Sequence, residues 1–565
     1  MIKVRDAFSE VVAIIIVGGL IGAVLAIVSN LFVSGVQWFG QQREASELFS
    51  VAIAGETLSF SSVVFLWAAA AIVVLLKTGL GIASWTGPAD SIYAAHQVNE
   101  PLNIKTGLAS TLAAFTSASG GGSVGQYGPI VHFGATMGIG VKRFISSRLS
   151  HEIYLGCGVA AAISAGFNAP IAGVVFAHEA ILRHFSVRAV APITVASVSA
   201  SALGNLWFPQ TTTFEISTLL PPLAEVVPVL LLLAPVFALV AICFMWALRY
   251  SAQTAVRTNT SPIVLTFVAA TICGLVGVWI PQILGLGISS INDMIAGEFT
   301  LSLLLTVLIA KLLLSAMCIG FGLFGGVFSP SLFIGVATGA LAGQLLAVFG
   351  FADIASIISV AGMAAVSSAV IGAPVSAVLI ILELTQSYDY AVAAMIAVMV
   401  CNLLTNRVFG NSYFDRQLLD RGIDLLKGRE SIALSHQRVG PLASQDYVRA
   451  EVSGNGVALL GEMRSRGHTE AYILESDGRF FGKISIYDVI ESADSSIETH
   501  IDRQPLMLFA DDSLADAMVK VSQFVGESVP VVDKRTGIFQ GSLAEGALFE
   551  AVIDVQKQAR SLERD

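Results

Sequence analysis

Charge is scarce in this chain. Asp, Glu, Lys and Arg make up 13% of its 565 residues, about half of what a soluble domain carries, which excludes an ordinary cytosolic protein and a disordered one. Cysteine is scarce as well. Five cysteines (Cys157, Cys243, Cys273, Cys318 and Cys401) are too few for a disulfide scaffold, and each lies in apolar surroundings, where a thiol reads as a small buried hydrophobe. Basic charge is not in excess: the net charge is −10, which argues against a nucleic-acid partner. No zinc spacing, P-loop or nucleophile elbow appears, so neither an enzyme nor a resident metal is expected. What the chain has in abundance is apolar residues, at 55%. This is the composition of a polytopic membrane protein.

The apolar character stops near Phe414. Residues 301–382 hold two charges, Lys311 and Asp353, whereas Asp415 to Asp565 carries both signs throughout. A bilayer core about 30 Å thick takes roughly 20 helical residues to cross. Val11–Ser29, Ser61–Leu76, Val226–Leu248, Ile263–Ile280 and Leu301–Leu314 supply such runs, wholly or with their flanks. Val11–Ser29 is too long for a cleaved signal and lacks a small-residue cleavage site. Between these spans lie apolar segments rich in Gly, Ala, Ser and Pro: Ser117–Gly140, Gly156–Ala177, Gly320–Gly343 and Ala361–Leu382. Gly and Pro at that density predict broken helices, which survive at membrane depth where protein buries them or where they line an aqueous cavity. Tight packing through small residues is the blander alternative.

A repeat favours the first reading. Gly158 to Pro170 can be laid on Gly362 to Pro374 at a constant offset of 204 residues, and the match continues to Glu179 and Glu383. Upstream, Gly125-Gln-Tyr-Gly-Pro129 has a counterpart in Gly325-Gly-Val-Phe-Ser-Pro330, offset by 201 at the prolines. Repeated halves interrupted in matching places are the sequence sign of a transport protein with its site at the repeat interface. Each glycine loop leads through a proline, expected at the first helical position, into Ile130–Gly140 or Ser331–Ala340. Two open helix N-termini meeting at the midplane offer unpaired N–H donors and positive dipole ends, an anion site that needs no lysine or arginine. A carboxylate-built cation site is poorly supported, because the apolar part has no run of Asp or Glu.

Gly325-Gly-Val-Phe-Ser-Pro-Ser-Leu-Phe-Ile-Gly335 resembles the GGxFxPSLxxGA motif of the CLC chloride channels and transporters, and Gly125 to Ala135 resembles their GxEGPxxxxGA motif. Asn168 to Gly173, Gly372 to Ser376 and Ser412 to Asp415 also sit where that family has counterparts, so the resemblance runs from about residue 10 to 425. It implies a homodimer in the lipid bilayer, with inverted halves (about 10–215 and 224–425) and one pathway per subunit for chloride or a similar small inorganic anion. It also implies an anion shell at Thr86, Gly87, Gln126, Tyr127, Gly128, Val327, Phe328 and Phe414.

The departures from the motifs matter more. The family's gating glutamate is Tyr127 here. A phenol, with an ordinary pKa near 10, is neutral at pH 7 and does not compete with an anion as a carboxylate does. The inner proton-transfer glutamate falls on Ala180, with Glu179 one residue away as a displaced relay or a structural partner of Glu383. The serine loop is shortened to Trp85-Thr-Gly-Pro-Ala-Asp90, and the family's central tyrosine falls on Phe414, beside Tyr413. These changes keep bicarbonate and nitrate open as cargo. His132 and His178 read as packed or interfacial.

After about residue 430 the pattern changes to short strands (471–474, 481–486, 528–532, 538–543) alternating with helices (456–465, 486–492, 513–525, 546–556). The β-α-β-β-α order occurs twice, at 436–493 and 498–557, which resembles a pair of CBS domains. Ser485 and Asp488 sit where nucleotide-binding members hold phosphate and ribose, so an adenine nucleotide is one expected ligand and a dimerising role the alternative. The expected fold is an all-α polytopic membrane domain with inverted repeats and broken helices over 1–428, followed by a soluble α/β CBS pair. The expected function is an anion channel or uncoupled facilitator gated at Tyr127, in a bacterial inner membrane with a cytoplasmic tail. The alternatives are a proton-coupled exchanger, a carrier of another anion, and a non-conducting anion sensor.

Overall fold

A computed structural model describes residues 2–46, 49–53, 56–97, 102–145, 149–208, 221–425, 428–491 and 497–564. The expected end of the first half near 215, and the last two residues of the tail unit ending at 493, lie outside them. Contacts divide the chain into two compact units, which part between Gly422 and Ile423.

The first unit is helical apart from a hairpin of β1 (Ser50–Ile53) and β2 (Glu56–Ser59). Its first half runs α1 (Ile2–Ala45), α2 (Ser61–Gly79), α3 (Pro88–His96), α4 (Ile104–Ser119), α5 (Tyr127–Phe144), α6 (His151–Phe167), α7 (Pro170–Phe176) and α8 (Val187–Trp207), with a π-helical turn over Ala177–Leu182. The second runs α9 (Leu223–Arg257), α10 (Pro262–Trp279), α11 (Ile288–Ala296), α12 (Leu301–Gly320), α13 (Phe328–Ala347), α14 (Ala355–Ile371), α15 (Pro374–Thr385), α16 (Tyr388–Val408) and α17 (Tyr413–Leu419). Among the described residues, eight helices are long and apolar enough to cross a membrane.

Glycine density overstates the breaks. The interruptions are confined to residues 120–126, 168–169, 321–327 and 372–373, and the remaining glycines lie inside helices that pack closely. A Cβ on Gly134 would come within 2.3 Å of Gly158 O, and one on Gly335 within 2.4 Å of Gly362 O. These pairs, which join α5 to α6 and α13 to α14, occupy matching places in the repeat. Small residues let the backbones approach where no hydrophobic force drives helices together. Both readings of the Gly/Ala segments therefore apply, to different residues.

The second unit holds α18 (Gly428–His436) and then two β-α-β-β-α units. They are β3 (Val448–Glu451), α19 (Gly456–Arg466), β4 (Glu470–Leu474), β5 (Phe480–Ser485) and α20 (Ile486–Glu491), followed by β6 (Leu508–Phe509), α21 (Leu514–Val521), β7 (Ser528–Val532), β8 (Phe539–Ala544) and α22 (Glu545–Arg564). In each sheet the first pair is parallel and the second antiparallel. α21 stops four residues short of the expected Val525. Between the sheets lies a small core of Tyr472, Leu474, Val532 and Phe539. It is bordered by reciprocal bonds: Glu470 accepts from the N–H groups of Glu527 and Ser528, and Glu527 accepts from the Thr469 N–H.

The His468 ring lies 3.0 Å from Glu527 Oε1 and 3.4 Å from Asp446 Oδ1. Its hydrogen bond to Glu527, with Asp446 adding, holds its pKa above the ordinary 6.5. Such a group stabilises the fold fully below 6.5 and loses that contribution as pH rises through the folded value. The tail of the full chain should therefore resist protease in urea less well as pH is raised from about 6 to about 8. His468→Gln should flatten that dependence.

Candidate anion site

The two glycine loops meet. Gly125 N–H donates to Gly326 O and Gly326 N–H to Gly125 O, both at 2.7 Å. Only glycine fits: a Cβ on Gly125 would lie 2.7 Å from Gly326 O and 2.9 Å from Ser329 N, and one on Gly326 would lie 2.9 Å from Pro129 Cδ. The bridge fixes the starts of α5 and α13 side by side. Both helices begin two residues before the position the sequence suggested, so Pro129 and Pro330 are third rather than first in their helices. Proline is tolerated anywhere in the first turn, where no N–H is needed. The first bonds of each helix are Ile130 N–H to Gln126 O at 3.1 Å and Ser331 N–H to Val327 O at 3.0 Å. The N–H groups of Tyr127, Gly128, Phe328 and Ser329 thus have no intrahelical acceptor, and no side chain caps either helix. Two adjoining positive ends are suited to an anion.

Tyr127 opens α5 and is buried. Its ring stacks on Phe167 with centroids 3.7 Å apart and 19° between planes, and meets Phe328 edge-on at 5.6 Å. Phe167 and Phe328 touch each other at 5.2 Å, closing a cluster of three rings. Gly166 leaves room for the phenol edge, and both residues border a cavity of about 780 Å³. The neighbouring Gln126 is fully buried, and its amide oxygen and nitrogen make no hydrogen bond of normal geometry with the described residues.

Pro88, which follows Thr86 and Gly87, reaches the start of α5, where a Cβ on Gly128 would lie 3.4 Å from its Cγ. Thr86 and Gly87 both already have partners within the protein. The Thr86 hydroxyl lies 2.9 Å from His132 Nε2 and 3.2 Å from Ser110 Oγ, and Gly87 N–H donates to Asp90 Oδ2 at 2.7 Å. Asp90 Oδ1 accepts from Arg421 at 2.7 Å. His132 also reaches Ser91 at 2.8 Å, and His178 stacks on Phe185. Phe414 is buried on α17, which packs on α3 and α14. Beside it Ser412 and Asp415 form a capping box, and Asp415 also pairs with Arg183.

The sequence suggested that the two glutamates of the repeat pair with each other, and in the structure they do not. Each crosses to the opposite half. Glu179 accepts from Val375 N–H (2.9 Å), Ser376 N–H (2.7 Å) and Ser376 Oγ (2.6 Å), and Glu383 accepts from Ile171 N–H (2.9 Å) and Ala172 N–H (2.8 Å). An acid at a helix N-terminus caps donors that would otherwise be orphaned and opposes the dipole. Ala180, the next residue in the π-helical turn, is buried. Glu179→Ala should cost about 1–2 kcal/mol of stability, read as a lower melting temperature in detergent.

In the tail, Ser485 Oγ donates to Asp488 Oδ2 at 2.6 Å and Asp488 N–H to Ser485 Oγ at 3.2 Å. The pair closes on itself at the start of α20. Sequence reading missed Phe167, although it lies inside the aligned repeat. Its counterpart 204 positions on is Ile371, and that aromatic-for-aliphatic difference was the available signal.

A family model described as Voltage gated chloride channel matches residues 68–406. An H(+)/Cl(−) exchange transporter ClcA of Vibrio parahaemolyticus is 26% identical over 318 residues, 54% of this chain and 67% of that protein. The ClcA of Yersinia pseudotuberculosis is 24% identical over 71% of this chain and 86% of its own. Among solved structures, a slow cyanobacterial Cl−/H+ antiporter aligns with TM-score 0.64 and 20% identity, covering 72% of this chain and 97% of that one. A eukaryotic CLC transporter aligns with TM-score 0.61 and 18% identity over 95% of this chain and 98% of its own.

Proposed function

From a chain that belongs to the voltage gated chloride channel family, we propose an uncoupled anion pathway in which Tyr127 stands as the gate. The protein is a multi-pass membrane protein of a family of anion channels and transporters. Its cargo on this reading is chloride or a similar small anion, with bicarbonate and nitrate as the other candidates. The observation that carries the proposal is the pairing of two uncapped helix starts at Gly125 and Gly326, plugged by a neutral ring rather than an acid. An anion held there meets N–H donors and no competing carboxylate. The nearest acid to the lost proton position, Glu179, is occupied by three donors from the other half. The same reading includes a homodimer and a tail on the cytoplasmic face.

Proton-coupled exchange is the second reading, favoured by the names of the relatives. Chloride or bicarbonate efflux from liposomes, recorded together with proton uptake, separates the two. Anion efflux with no accompanying proton movement is expected. Protons moving in fixed ratio to anions, and lost in Glu179→Gln, would support the exchanger.

A further inference from the structure

α1 continues beyond its apolar run as far as Ala45, which carries Arg43 into the protein, where it is 6% exposed. Its guanidinium makes one hydrogen bond among the described residues, from Nη2 to Glu44 Oε1 at 3.3 Å, and the Glu44 side chain is 70% exposed. Arg43 lines the cavity of about 780 Å³ that Tyr127 borders. Asn30, Gln37, Gln41 and Gln282 line it too, and Glu44 is its one acid among the described residues.

A second buried cation supports the same wall. Lys311, fully buried on α12, donates to Ile283 O and Gly285 O at 2.8 Å each, and Gly285 N–H donates to Gly121 O at 3.0 Å. Arg43 packs against Gly121, where an added Cβ would meet Nη1 at 2.6 Å. Two buried cations thus flank the first glycine loop; among the described residues Glu44 is the one carboxylate paired with either, and Lys311 donates to carbonyls alone. A buried guanidinium whose one carboxylate partner is solvent-exposed is only weakly compensated. Its persistence beside a polar cavity points to a partner of opposite sign.

We propose that Arg43, with Lys311 behind it, holds a small monovalent anion in the cavity before Tyr127, a loading site distinct from the paired helix starts. The guanidinium fork presents parallel N–H donors, and the surrounding amides add more, so a planar oxyanion such as nitrate or bicarbonate is held more tightly than a halide. The inference rests on the anion reading of the pathway, but equilibrium binding tests it separately from flux.

The probe is nitrate, titrated calorimetrically into the full-length protein in detergent and used as cargo in liposome efflux. Arg43→Gln should weaken nitrate binding and raise the half-saturating concentration for efflux about ten-fold. Arg43→Lys should lose nitrate preference over chloride while keeping chloride binding. Glu44→Gln, on an exposed side chain, should shift both readings the opposite way, toward tighter binding. Nitrate binding unchanged in Arg43→Gln or Arg43→Lys, together with no tightening in Glu44→Gln, overturns the proposal. Wild-type binding that depends on Arg43 without any anion efflux would sink the transport reading and leave the site standing.

Discussion

Tyr127→Ala should raise anion efflux from liposomes ten-fold or more. The ring opens α5, held by Phe167 on its face and Phe328 on its edge, and borders the cavity of about 780 Å³. Truncation removes both contacts and opens a passage between the cavity and the donors of Gly128 and Phe328. Such truncations of buried aromatics cost about 3–5 kcal/mol of stability, so the melting temperature should fall while flux rises. Tyr127→Glu makes the complementary test. A carboxylate at that place would occupy the positive helix ends when charged and release them when protonated. Flux through Tyr127→Glu should therefore be low at neutral pH and rise as pH falls through the carboxylate range, whereas wild-type flux should show no such carboxylate-driven rise. Flux unchanged in Tyr127→Ala would mean that the ring packs against the pathway without closing it.

Gly125→Ala should abolish most of that flux. The added methyl meets Gly326 O at 2.7 Å, Ser329 N at 2.9 Å and Pro330 Cδ at 3.0 Å, none of them the end of a flexible side chain. The two loops must part, and with them go the mutual hydrogen bonds that hold the two helix starts together. Overpacking of this kind costs about 1–3 kcal/mol, and a ten-fold or larger fall in efflux should accompany it. Gly19→Ala is the control: a Cβ there meets nothing within 4 Å, and flux should be unchanged.

Much of this was legible because it is periodic. The repeat placed the two glycine loops, the two Ala-Pro breaks and the two glutamates in register, and each break lies where the repeat put it. The tail's strands were legible from short apolar runs between turn residues. What the chain concealed depends on residues far apart in sequence. Glu179 and Glu383 share repeat positions, which suggested that they pair. In the fold each caps a helix about 200 residues away, because the halves are interleaved. The shift of Pro129 and Pro330 to the third helical place comes from the bridge at Gly125 and Gly326, a contact that no local propensity encodes. Thr86 looked free to bind an anion, but His132 and Ser110 take up its hydroxyl. Arg43 is concealed in the sequence because the apolar run on α1 ends well before the helix does.

The paired helix starts can be tested by locating the anion directly. Crystals of the full chain grown in bromide, with the anomalous signal collected at the bromine edge, would place it. A bromide peak in contact with the N–H groups of Gly128 and Phe328, in front of the Gly125–Gly326 bridge and clear of every carboxylate, is the predicted result. A peak absent from that point in both wild type and Tyr127→Ala, with bromide still crossing the membrane, would contradict it.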